Sequence, residues 1–413
     1  MIASLKNTKS ILTWLIWIAY AGLFFSINVS TATIIALLLF CLINTPLKDF
    51  SRSIAENKTV QILLLMYGLL IIGLVYSENL KTGIFILEKK MTLLLIPVLA
   101  LPLIQKTGVY SQRLLKGIGY ITIATSIILL AIASYQSSVL NNSQAFHFET
   151  FTKPFVHYVY YAIFFAFGSL TLINTLLNSI DEKRSGILIL TVLFVYALGF
   201  LILVASKMGI IAFGMASIAL LYHKIGNKKI FAFVLIGLVA AASSILYFND
   251  TTRNRFTELT EDISVITKDE YNGEVLTGLN LRLLFWKMAI VHSWQDRHTI
   301  AGVGTGDCQD YLNHLYSLPQ YQLEAFSEFD SHNEWVFTFV QLGVIGVIAM
   351  GLLYANSLLI ALRKNDMMFV CFLIITLLFS FSESILESNK GIVFCALLFT
   401  LLCAPYKREI KTI

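Results

Sequence analysis

Charge is what this sequence has least of. Only 13% of its 413 residues are Asp, Glu, Lys or Arg, while 57% are hydrophobic and 13% aromatic; a soluble domain carries roughly a quarter charged residues. With a mean hydropathy of +0.75, soluble enzymes, nucleic-acid binders and secreted scaffolds are excluded in favour of a chain that lives in a bilayer. Cysteine is sparse too. Cys41, Cys308, Cys371, Cys395 and Cys403 are an odd number, four of them in apolar runs, and their spacing gives neither a disulfide framework nor a metal site. The first apolar run follows Lys6 and Lys9 but has no clear small-residue cleavage site, so it reads as a retained span.

Long apolar runs are what the sequence does have. A helical span needs about 20 apolar residues, and candidates fall near 11–28, 30–44, 59–76, 84–104, 117–135, 155–177, 186–205, 208–222, 229–248, 334–361, 367–382 and 390–405. The expected fold is therefore an all-α polytopic membrane protein of about 12 transmembrane helices, with 10–12 as the range because several runs are short. Helices 1–9 occupy residues 1–248, a large loop occupies 249–333, and helices 10–12 occupy 334–413.

The net charge of +5 becomes informative when divided by side. With the N-terminus cytoplasmic, the inner segments hold 18 basic and 6 acidic residues and the outer segments 10 basic and 18 acidic, leaving Glu88, Lys89 and Lys90 inside the fourth run. Basic residues favour the cytoplasm, which puts both termini inside and the large loop outside. That loop has too many aromatic residues, Trp286, Trp294 and Tyr311 among them, to be disordered.

Within the loop, Leu281, Leu284, Phe285, Met288 and His292 recur at helical spacing, so 280–294 reads as an amphipathic helix on the bundle or in the interface. Arg282 and Trp286 share one of its faces. The arginine is either a solvated headgroup contact or an anion clamp near the helix N-terminus. The run Gly302-Val303-Gly304-Thr305-Gly306 lacks the Gly-Lys-Ser/Thr ending of a nucleotide loop and is expected to turn the chain back toward the membrane. Ser331-His332-Asn333-Glu334 has the form of a capping box before a long apolar run. This makes Ser331 the expected N-cap and His332 a first-turn residue whose imidazole the helix dipole keeps neutral and able to accept a proton; the alternative is a histidine that merely sits at a helix entrance.

Other ionisable residues stand near the same face. Lys207 interrupts an apolar hairpin and either snorkels or binds phosphate. Lys89 and Lys90 either pair with Glu88 or meet a lipid phosphate, and Glu383 and Glu387, one turn apart, are expected to face one pocket. Arg253 and Arg255 open the loop as surface charge or as anion contacts.

Ser206-Lys207, Arg282 and Trp286, the glycine turn, His332-Asn333 and Gln341-Leu342-Gly343-Val344-Ile345-Gly346 together resemble the O-antigen ligase and polymerase family of bacterial inner-membrane proteins. The resemblance is strongest over about 200–350. It implies a metal-independent glycosyltransferase without a cofactor, taking a glycan from undecaprenyl pyrophosphate on the periplasmic side. The implied acceptor is lipid A core in ligases, another lipid-linked repeat unit in polymerases, and a protein hydroxyl in related enzymes. Carried over by position, His332 is the general base and Arg282 binds the pyrophosphate leaving group. The family usually has Arg where this chain has Lys207, which keeps the charge and loses the bidentate fork. Trp286, Asn333, Lys89, Lys90, Arg253, Arg255, Glu383 and Glu387 are the candidate substrate contacts. A transporter of lipid-linked sugars is the rival reading. It is disfavoured by the lack of an evident internal repeat and of mid-span charges beyond Glu88 to Lys90.

Overall fold

The computed structural model describes residues 2–179, 184–226, 278–321 and 323–405, with positions 232 and 236. Arg253, Arg255 and most of the ninth apolar run lie outside the described residues. Everything described is helix or connection, without a β-strand. In chain order the helices are α1 (Ile2–Gly22), α2 (Ile27–Asn44), α3 (Leu47–Glu56), α4 (Lys58–Val75), α5 (Leu80–Lys90), α6 (Thr92–Thr107), α7 (Gln112–Ser138), α8 (Phe148–Phe151), α9 (Tyr158–Ser179), α10 (Arg184–Leu203) and α11 (Lys207–Lys224). After the undescribed stretch come α12 (Gly278–Gln295), α13 (Cys308–Tyr316), α14 (Glu334–Lys364), α15 (Met367–Ser380) and α16 (Asn389–Cys403).

Among the described residues, five helices are long and apolar enough to cross a membrane, namely α2, α4, α7, α9 and α14, while α10, α15 and α16 supply shorter apolar helices. The twelve runs are therefore not twelve equal spans. The run at 84–104 is divided at Met91 between α5 and α6, which puts Lys89 and Lys90 in the last turn of a short helix. Side chains start the helices as sequence chemistry requires: Ser26, Asn57, Asn79, Ser206, Asn333 and Asp366 each accept a first-turn backbone N–H.

Helix α9 is the hub. Its Ala162, Phe164, Phe165, Phe167 and Leu170 are fully buried, the mark of a helix apolar on every face, and α7, α10, α11 and α15 pack around it. A second core lies beneath α12 and α13, where Leu284, Phe285, Met288, Leu312 and Tyr316 meet Val336, Phe337 and Val340 from the start of α14. The amphipathic helix expected at 280–294 is thus α12, docked on the bundle.

The glycine turn has a structural reason. Helix α14 is broken at Gly343, whose φ of 63° and ψ of −161° are not helical. The break frees carbonyls that the turn then satisfies: Val303 N–H donates to Val340 O at 2.8 Å and Gly304 N–H to Gln341 O at 3.1 Å. Non-helical backbone inside a bundle persists only where such partners are found. On the other side, Val344 N–H donates to Thr299 O at 2.8 Å, and Thr305 Oγ1 donates to Leu70 O at 2.7 Å. A Cβ on Gly343 would lie 2.2 Å from the Ile300 carbonyl oxygen. Gly343→Val is therefore expected to lower stability by at least about 1–3 kcal/mol, read as a lower unfolding midpoint in detergent; an unchanged midpoint would show that the break is dispensable.

Candidate active site

Four short pieces of chain converge at one end of the bundle: the start of α9, the start of α11, the first turns of α12, and the turn after α15. Between them opens a cleft of about 340 Å³ lined by Tyr158, Lys207, Arg282, Trp286, Phe381 and Glu383, a mostly apolar wall with a few charged groups, as small-molecule sites have. Ala205 takes a left-handed conformation (φ 54°), and Ser206 Oγ then accepts Gly209 N–H at 3.1 Å, so Lys207 becomes the first residue of α11 at the cleft wall.

Glu383 is the hinge of the site. Its Oε1 accepts from Arg282 Nη2 at 2.7 Å and its Oε2 lies 3.3 Å from His332 Nδ1. With Nδ1–H donating to the carboxylate, the neutral imidazole keeps its lone pair on Nε2, which is the tautomer a general base needs. Asp330 is the second carboxylate, accepting the His332 backbone N–H at 2.7 Å and standing 3.7 Å from Nδ1. His332 itself is left-handed, with φ 47°, and this turn, tied by the Asp330 side chain, presents the ring to Glu383. Trp286 donates its indole N–H to Ser331 O at 2.8 Å, bracing the same turn from α12.

Two expectations need correcting here. The N-cap of α14 is Asn333, whose Oδ1 accepts from Trp335 N–H at 2.9 Å and Val336 N–H at 3.2 Å, whereas Ser331 Oγ donates to Asn333 O at 3.0 Å. His332 therefore precedes the helix instead of lying in its first turn, and the dipole does not govern its charge. Burial opposes the imidazolium, but the hydrogen bond and charge of Glu383 and the charge of Asp330 outweigh that opposition and the nearby Arg282, so its pKa is held above 6.5. Full carboxylate charges at close range exceed the partial charge of a helix end that Asn333 already caps.

Glu383 and Glu387 take separate partners despite being one turn apart. Glu387 pairs with Lys90, and its Oε2 lies 3.3 Å from Lys89 Nζ. Lys90, 4% exposed, also donates to Gln341 Oε1 at 3.4 Å. Glu334, 2% exposed, accepts Leu386 N–H on Oε2 at 2.8 Å. The turn at 385–387 is thus anchored by α5 on one side and α14 on the other, and Glu383 leads directly into it. Lys89 and Lys90 pair across to Glu387 rather than with Glu88, and none of these four residues lines the cleft.

Three contributors had no signal in the sequence. Tyr158 and Ser382 line the cleft only because α9 and the turn after α15 end beside α11. His157, read from sequence as a histidine without context, feels the charges of Glu383 and His332, and burial sets its pKa below the usual histidine value.

Residues 192–351 match the family model described as O-antigen ligase. That stretch contains Lys207, Arg282, Trp286, the glycine turn, His332 and Gly343, while Glu383, Glu387, Lys89 and Lys90 lie outside it. No curated protein matches the chain.

Proposed function

From a membrane chain whose residues 192–351 are an O-antigen ligase family domain, we propose a glycosyltransferase that moves a glycan from undecaprenyl pyrophosphate to an acceptor hydroxyl at the periplasmic face of the bacterial inner membrane. The observation that carries the reading is the chain Arg282–Glu383–His332 beside a cleft that Lys207 enters. Cations for a leaving group and an oriented base for a hydroxyl stand together.

In the proposed step, Nε2 of His332 takes the acceptor's hydroxyl proton as its oxygen bonds to the anomeric carbon of the donor sugar. The bond from that carbon to the diphosphate oxygen breaks, and the electron pair leaves with the polyprenyl diphosphate. Developing charge on the leaving oxygen falls to Lys207 and to the guanidinium donors of Arg282 that Glu383 does not occupy. Glu383 orients the imidazole and stabilises the imidazolium, the part a carboxylate plays in a base–carboxylate pair. The side chains supply both the charge stabilisation and the proton transfer in this scheme, and the lipid carrier brings the sugar already activated. The charge division of the sequence supports both termini in the cytoplasm and the site outside.

Lys207→Arg is expected to preserve transfer, because the cation and its place at the start of α11 remain; complete loss would remove Lys207 from the phosphate-binding role. Deleting the gene and separating lipid-linked glycans on a gel tests the wider reading. Full-length chains accumulating on the carrier indicate a lipid A core ligase, single repeat units indicate a polymerase, and a normal glycan profile rejects both.

A further inference from the structure

His332 and Glu383 meet from two separate stretches of chain, the turn before α14 and the turn after α15. Their contact of 3.3 Å joins side chains 51 positions apart, so its length depends on how the two turns are held against each other. The pairing of Lys90 with Glu387 ties the second turn to α5 and not to His332.

The two residues that follow Asn333 reach across. Glu334 Oε2 accepts Leu386 N–H at 2.8 Å. Trp335 donates its indole N–H to Ser380 Oγ at 2.8 Å, and its ring stacks on Phe381 with 5.7 Å between centroids and 15° between planes. Positions 380 and 381 precede Glu383 and position 386 follows it, so neighbours of His332 bracket Glu383 on both sides. Each end of the bracket is itself fixed. Asn333 Oδ1 holds the Trp335 and Val336 amides, and Ser331 Oγ donates to Asn333 O. Across from them, Glu383 N–H donates to Phe379 O at 2.9 Å and Ile385 N–H to Glu383 O at 3.0 Å. Two closed rings therefore share the His332–Glu383 contact, one through Glu334 and Leu386 and the other through Trp335 and Ser380. Glu334, Ser380 and Ile385 are buried, where water competes little for these bonds. Phe381 is 47% exposed and lines the cleft, so the Trp335 stack lies at the site's edge and not in the core.

We propose that Glu334 and Trp335 are positioning residues that set the distance between His332 and Glu383, a role that rests on the reading of His332 as the base. A reacting group has to be held within about 0.5 Å of its productive place by the groups around it. Neither residue lines the cleft; both act through the turn that carries Glu383. Loosening either ring weakens the hold of the carboxylate on Nδ1–H and lets the imidazole turn.

The test uses the full chain in reconstituted membranes and reads His332 twice: by glycosyl transfer, and by the pH at which diethyl pyrocarbonate begins to modify its imidazole, followed by mass spectrometry of the peptide. The reagent takes the neutral ring, so the second reading needs no turnover. Trp335→Leu and Glu334→Leu are each expected to move the onset of modification to lower pH, toward that of Glu383→Gln, and to lower transfer by up to about 10²-fold. Two milder variants guard against misfolding. Trp335→Phe loses the hydrogen bond and keeps a ring on Phe381, so its shift is expected to be intermediate. Glu334→Gln keeps an acceptor for Leu386 N–H and is expected to keep the wild-type onset. Added to Glu383→Gln, neither Leu substitution is expected to shift the onset further, because both act through Glu383. A wild-type onset in Trp335→Phe and in whichever Leu variants fold, or a shift as large in the Glu383→Gln background, overturns the proposal. The expected shifts in a protein without transfer activity support the positioning and reject the glycosyltransferase reading instead.

Discussion

His332→Ala is expected to lose glycosyl transfer by about 10²–10⁴-fold, the usual contribution of a positioned general acid or base, while the protein still inserts and keeps its unfolding midpoint. The argument rests on position. The imidazole is 28% exposed, its Nδ1 faces Glu383 and its backbone N–H is tied by Asp330, so little packing depends on it. Removing the ring removes the proton acceptor without emptying a core. Relief of the left-handed backbone at 332 in a His332→Gly variant should stabilise the fold slightly and leave activity equally low, which separates chemistry from folding. Wild-type turnover by His332→Ala in reconstituted membranes would remove the residue from the mechanism.

The second large effect falls on stability. Lys90→Met is expected to destabilise the protein by about 3–5 kcal/mol, the usual cost of leaving a buried charge without its partner. Lys90 and Glu334 are both almost inaccessible, and Glu387 is 10% exposed on its side chain. With Lys90 gone, Glu387 keeps, among the described residues, only the 3.3 Å contact to the more exposed Lys89, and the turn that leads from Glu383 loses the buried part of its anchor on α5. The double variant Lys90→Met with Glu387→Met should recover part of the midpoint, because the pair is then removed together. The unfolding midpoint in detergent checks both; a Lys90→Met protein as stable as wild type would show that the buried pair contributes nothing.

The sequence made some of this legible and hid the rest for physical reasons. The helical class and the docked helix carrying Arg282 and Trp286 follow from apolar periodicity, and Lys207 stands out as a lone cation in an apolar hairpin; all are local signals, whereas the cleft beside Lys207 is not one. The pairing of Lys90 with Glu387 joins residues on α5 and before α16, and no local pattern announces a partner nearly 300 positions away. The break at Gly343 is equally silent. Gly346 is a second glycine in the same run, and only the approach of the Ile300 carbonyl and the Val303 and Gly304 amides distinguishes the first. The capping signal before α14 points two residues too early because Ser331 and Asn333 are both competent N-caps, and the choice of Asn333 follows from how Asp330 and Trp286 hold the preceding turn. That displacement changes the chemistry of His332, since its charge is set by Glu383 and Asp330 and not by the helix end.

The most direct test of the account is the pH dependence of transfer in wild type and in Glu383→Gln. A base must be neutral to act, so the wild-type rate should rise with pH through the His332 pKa, which lies above 6.5. Replacing Glu383 with Gln removes the negative charge that holds the imidazolium and leaves only a neutral acceptor for Nδ1–H, so the rising limb should move to lower pH, with a lower plateau because the ring is less firmly oriented. An unmoved limb, or one displaced to higher pH, would contradict the assignment of His332 as the base and Glu383 as the group that sets it.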